Sequence, residues 1–102
     1  MIKIIKSSVA KQDLTHIWYY SYKNFGEKQA DKYVSLLENK INSLQNSPML
    51  GVDCSYIRKK YRKLQIEHHV AFYYINKSEI IITRILHEKM NYKKHLQPPP
   101  PK

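Results

Sequence analysis

The chain is poor in the residues that staple, bend or neutralise a protein. One cysteine, Cys54, stands among 102 residues. An internal disulfide is therefore impossible, a cysteine-based zinc site is excluded, and the expected compartment is a reducing cytoplasm. With only two glycines, Gly26 and Gly51, there is no glycine-rich phosphate loop, and neither H-E-x-x-H nor a nucleophile elbow occurs. A conventional small-molecule enzyme has no support. No apolar run approaches the ~18 residues a membrane helix needs. The opening "MIKIIKSSVAKQD" breaks its apolar residues with lysines and lacks a signal-peptide core. Acidic residues are scarce as well: 8 against 18 Lys and Arg, a formal net charge of +10. That surface attracts a polyanionic or acidic partner, whether nucleic acid, ribosome or an acidic protein segment.

What is present suffices for one packed domain. Hydrophobic residues make up 42% of the chain, which excludes global disorder. The length allows a single layer of helices on a single sheet. Residues 2–6, "IKIIK", read as a short β-branched strand. Ser7 and Ser8 then offer N-cap hydroxyls. Ala10, Leu14, Ile17, Trp18, Ser21 and Phe25 fall on one helical stripe, with Trp18 assigned to the core and Tyr19, Tyr20 and Tyr22 flanking it. Gly26 ends that helix. A second begins near Glu27 with the stripe Ala30, Tyr33, Val34, Leu37, Ile41 and Leu44, and stops at Asn46, Ser47 and Pro48. So short a connection makes the two an antiparallel hairpin.

Beyond the loop "SPMLGVDCSYIRKK" the period switches to two. Residues 61–67 alternate weakly, with Arg62, Leu64 and Ile66 on one face. The segments 69–75 and 79–86 are apolar on both faces, as strands inside a covered sheet are, and 76–79 between them reads as a hairpin turn. Residues 88–96 allow one or two helical turns. "QPPPPK" is a tail, because consecutive prolines neither continue a helix nor join a ladder. The expected architecture is α+β with order β-α-α-β-β-β, a helical hairpin on a small antiparallel sheet and a short C-terminal helix. Residues 1–96 form one domain and 97–102 a proline-rich tail.

Several local pieces in this order resemble the RelE/ParE superfamily, the toxins of type II toxin–antitoxin modules, and its ParE branch in particular. They are Asp13-Leu14 in the first helix, then Gly26 with Gln29-Ala30, then Pro48 to Gly51. Arg62 ahead of "HVAFY", His69 to Tyr73, comes next, and "RILH", Arg84 to His87, ends the last strand. The resemblance spans about residues 7–95. It implies a toxin that poisons DNA gyrase and is held inactive by a cognate antitoxin in a hetero-oligomer. The alternatives it leaves open are a ribosome-dependent mRNA endoribonuclease, with ribosome and mRNA as partners, and a decayed module that only binds its antitoxin.

Three groups of residues are candidates for function. Arg84, His87 and Tyr92 would be the catalytic set of a ribonuclease, as phosphate clamp, general acid and base-stacking ring. Against this, residues 84 and 87 of a regular strand point to opposite faces. They converge only if the strand ends near Leu86. The plainer reading pairs Arg84 with a carboxylate or a tyrosine and packs Tyr92 on the sheet. The run "IRKKYRK", 57–63, carries five cations in seven residues. It reads either as a solvated edge strand or as a landing patch for target or antitoxin. The expected contact residues are Arg58, Lys59, Lys60, Arg62, Lys63, Arg84, Lys89, Lys93 and Lys94. His68 and His69, adjacent on a strand, cannot share a metal ion, and nothing supplies a third ligand. No metal or other cofactor is expected.

Overall fold

The computed structural model of the protein describes residues 2–96; the proline-rich tail expected at 97–102 lies outside them. The elements are β1 (Lys3–Lys6), α1 (Ser8–Phe25), α2 (Glu27–Asn42) with a 3-10 turn at Ser43–Gln45, β2 (Val52–Asp53), β3 (Arg62–Ile66), β4 (His69–Asn76), β5 (Glu79–His87) and the single helical turn α3 (Tyr92–His95). The expected order is present, with the two-residue strand β2 added inside the predicted loop.

One sheet runs β1-β5-β4-β3-β2. It is antiparallel except where β1 joins β5 in parallel, Ile4 beside Ile80 and Lys6 beside Ile82. Ser7 then turns the chain out of the sheet. Its N–H donates to the Ile82 carbonyl at 2.9 Å, and its hydroxyl donates to the Thr83 carbonyl at 2.9 Å while accepting the Ala10 N–H at 3.0 Å. The N-cap is thus bonded to the very strand that β1 is leaving. At the far end Gly26, with φ +92°, terminates α1 and caps α2. A side chain would be strained in that conformation, so one glycine reverses the hairpin. Across it the Trp18 indole N–H donates to Asp31 at 2.8 Å, and the indole stacks on Tyr22. Trp18 is half-buried rather than core: the hairpin uses it as a strut between helices.

Both faces of the sheet are covered, as the apolar β4 and β5 demanded. The hairpin face buries Leu14, Leu37, Ile41, Leu44, Leu64, Tyr73 and Ile82. Each fully buried aliphatic side chain of this kind contributes about 1.5–3 kcal/mol. The opposite face carries a smaller core of Cys54, Tyr61, Val70, Phe72, Leu86 and Leu96. Its cover is not a second layer but the 54–61 loop and the end of α3. Residues 57–60 are turns, as the loop reading expects and against the alternative of an edge strand over 57–63. The physical reason is that Ile57 and Tyr61 pack inward here and Lys60 takes φ +70°, which no strand accommodates.

Tyr73 ties the hairpin-face core to the loop before β2. Its buried hydroxyl donates to the Pro48 carbonyl at 2.7 Å and accepts the Gly51 N–H at 2.9 Å. This explains the Pro48-x-x-Gly51 spacing. A Cβ on Gly51 would lie 2.6 Å from the Tyr73 oxygen and 2.8 Å from the Lys63 carbonyl oxygen, so only glycine fits. Arg62 completes the clamp, its guanidinium donating to the Gly51 and Met49 carbonyls.

A histidine-lined groove as candidate functional site

The site grows from the place where β1 ends. Past Ile82 the outer edge of β5 has no strand beside it, and α1 crosses there. A bulge sets Thr83 out of register, so that Phe72 pairs with Arg84 and Tyr73 with Ile82; the Thr83 hydroxyl donates to the Phe72 carbonyl at 3.1 Å. Asp13, buried in the apolar stripe of α1, fills the open edge. It accepts the Ile85 N–H at 2.9 Å and two bonds from the Arg84 guanidinium, each 2.9 Å. Two parallel N–H donors on one carboxylate are the strong geometry for this pair, and the bond to Asp13 raises the Arg84 pKa further.

Arg84 and His87 do reach the same groove, but not by the route the sequence suggested. β5 continues through His87. Alternation assigns Arg84 to the Phe72 side, and its guanidinium reaches around the open edge of β5 to Asp13. His87 stands on the hairpin side opposite His69, their rings edge to face with centroids 5.2 Å apart. The His69 Nδ1 lies 2.6 Å from the Tyr33 hydroxyl of α2. Burial, with His87 and His68 beside it, lowers the His69 pKa to about 4, so the ring is neutral at physiological pH. Burial likewise raises that of Tyr33. At the rim His68 meets Glu88 at 3.2 Å, a contact that lowers the Glu88 pKa.

Asp13, Tyr33, His68, His69, Arg84 and His87 line a groove of about 970 Å³ between the hairpin and the end of β5. Its walls are largely apolar, with Ile17, Tyr20, Phe25, Leu36, Ile85 and Met90 among them. Tyr20 and Phe25 are both 69% exposed, far more than side chains serving only a core. Sequence reasoning missed Tyr33, His69 and Asp13 as members of one site. The available clue was an aspartate inside an apolar stripe, which requires a buried partner.

The basic run divides. Arg62 is spent on the clamp, and Arg58 lies over the Tyr61 ring with a 3.5 Å bond to the Leu96 carbonyl. The Lys63 ammonium is 3.4 Å from the Tyr56 hydroxyl. Lys59 and Lys60 face solvent, as do Lys89 and Lys94. The side chains of Tyr92 and Lys93 lie outside the described residues. Among those described, no cluster of His, Cys, Asp or Glu is arranged to hold a metal ion, and no helix is long and apolar enough to cross a membrane.

A helical hairpin on a mostly antiparallel five-stranded sheet, grooved where β1 departs, is the architecture of the RelE/ParE-like toxins. The fold matches that of a chromosomal ParDE toxin–antitoxin system from Pseudomonas aeruginosa with a TM-score of 0.77 at 24% identity, over 85% of this chain and 96% of that one. The chain belongs to the ParE family, described as the ParE toxin of the type II toxin–antitoxin system parDE, whose family model matches residues 4–92. It is 32% identical to Toxin ParE1 of Mycobacterium tuberculosis over 95 residues, which is 92% of this chain and 97% of that protein. With Toxin ParE1 of Caulobacter vibrioides it shares 36% identity over 87 residues, 85% and 90% of the two chains.

Proposed function

We propose that this toxin acts in the cytoplasm by binding DNA gyrase, not by covalent chemistry of its own, and that a cognate antitoxin holds it inactive in a hetero-oligomer. The antitoxin is an acidic, partly disordered segment that folds into the groove. The observation that carries this reading is the engagement of Arg84. A ribonuclease working here would need that guanidinium for the phosphate developing charge. Asp13 instead holds it by two bonds while also closing the edge of β5. Family membership supports the same target. The surfaces offered to partners are the groove, the solvent-facing Lys59 and Lys60, and Lys89 and Lys94 beyond β5.

The test sets purified chain against gyrase with relaxed plasmid, and in parallel against ribosomes with mRNA. Trapped, linearised plasmid and intact mRNA are expected. Cut mRNA with normal supercoiling would sink the proposal and make Arg84 and His87 the first residues to mutate. His87→Gln sharpens the contrast: loss of general acid–base catalysis costs a nuclease ~10²–10⁴-fold, whereas gyrase poisoning should change little.

A further inference from the structure

Four of the five histidines, His16, His68, His69 and His87, line the groove, and two of them are engaged at Nδ1. The Tyr33 hydroxyl sits 2.6 Å from the His69 Nδ1. With no other acceptor for it among the described residues, the hydroxyl is assigned as donor to Nδ1, the assignment that puts the ring hydrogen on Nε2. The His87 Nδ1 accepts the backbone N–H of Lys89 at 3.2 Å, which likewise leaves the hydrogen on Nε2. Cross-strand pairing places the two rings side by side. Each ring is engaged at Nδ1, and neither Nε2 has a bond among the described residues, in a trough with largely apolar walls where a hydrogen bond is worth more than in open water.

We propose that the His69–His87 pair is a carboxylate site, its two Nε2–H groups receiving an aspartate or glutamate side chain from a peptide lying in the groove. Charge favours that occupant: the chain carries a net +10, and Lys32 lines the same groove, while the Arg84 charge is balanced by Asp13. Of the three acids at or beside the groove, Asp13 is held by Arg84, Glu88 is engaged by His68 and Gln65, and Glu67 is exposed on the turn between β3 and β4. The apolar walls suit the non-polar side of an amphipathic peptide and have little to offer a phosphodiester backbone. Because His69 is uncharged at neutral pH, its part in recognition is that of a neutral donor and is less sensitive to salt than attraction to the exposed Lys59 and Lys60. Naming the peptide as the antitoxin's rests on the function proposed above; the carboxylate site does not.

The full chain labelled with ¹⁵N-histidine answers this by long-range ¹H–¹⁵N NMR at neutral pH, with acetate as the probe and chloride and phosphate at matched ionic strength. The expected result is Nε2–H tautomers at both residues and saturable acetate shifts at His69 and His87 that exceed those at His16. In Tyr33→Phe, which frees the His69 tautomer, acetate affinity should fall several-fold while the amide spectrum stays dispersed. A hydrogen on either Nδ1, shifts spread evenly over the histidines, or phosphate displacing acetate would each overturn the site. An acetate response without gyrase poisoning would keep the site and remove the target. Gyrase poisoning without an acetate response would remove the site alone.

Discussion

Asp13 and Arg84, 71 positions apart, meet through two hydrogen bonds of 2.9 Å, and the same carboxylate takes the Ile85 N–H. Asp13 thereby stands in for the strand that β5 lacks past Ile82, and Arg84 balances its charge. Breaking the pair from either end leaves a largely buried charge or an unpaired N–H, so Arg84→Ala or Asp13→Ala should cost about 2–4 kcal/mol, discounted for partial exposure. Asp13→Asn keeps an acceptor for Ile85 and should cost less. A double-mutant cycle in urea measures the coupling. Additive losses would mean the pair is only a surface contact.

The loop clamp makes a second prediction. Gly51 has no room for a methyl group beneath the Tyr73 hydroxyl, so Gly51→Ala should destabilise by about 1–3 kcal/mol through overpacking. Tyr73→Phe removes the group that serves both Pro48 and Gly51 and leaves their buried polar atoms unmatched, a loss of about 1–3 kcal/mol. Arg62→Ala should fall in the same range and should lower the thermal midpoint. A midpoint equal to the parent's for all three variants would show that the loop is not tied to the core.

The fold was legible wherever burial is periodic. The stripes of α1 and α2, the doubly apolar β4 and β5, and Gly26 between the helices each translate directly into geometry. What stayed hidden depends on contacts distant in sequence. β2 is two residues long and exists only because Val52 and Asp53 lie beside Lys63 and Arg62; no pattern of two residues announces it. The alternative of an edge strand over 57–63 fails at 57–60, where the chain turns as the loop reading expects, because Ile57 and Tyr61 pack inward. Trp18 was read as core from its place on the stripe, but its N–H found Asp31 across the hairpin. At the site, the motif ending in Arg84 and His87 stood out, whereas Asp13, Tyr33 and His69 became a group only when α1, α2 and β4 were brought together.

Acid should weaken the fold through His69. Its pKa is about 4 in the folded chain against an ordinary 6.5, so the unfolded state binds the proton more readily and stability rises with pH. The contribution is complete above pH 6.5 and is lost as pH falls from there towards 4. At ~1.4 kcal/mol per pH unit the whole shift is worth about 3 kcal/mol, and about half of that after allowing for solvent screening at a part-buried ring. Urea midpoints at pH 7.5 and pH 5 should differ accordingly, and His69→Gln should narrow the gap. An equal gap in the variant would assign the acid sensitivity to other groups.

The basic loop offers the cleanest separation of binding from folding, provided the residues are chosen by what they touch. Arg62 holds two carbonyls and Arg58 holds the end of α3, so replacing them confounds affinity with stability. Lys59 and Lys60 are exposed. Their attraction acts at a distance and through solvent, so it speeds encounter with an acidic partner more than it strengthens the final complex. Lys59→Ala with Lys60→Ala should leave the thermal midpoint unchanged and weaken association with gyrase or antitoxin on the order of five- to tenfold at low salt, mostly in the on-rate. The deficit should shrink as salt shortens the Debye length to about 8 Å at 0.15 M. Stopped-flow association at two salt concentrations reads both effects. An unchanged on-rate at low salt would remove these lysines from the partner surface and leave the groove as the place where recognition begins.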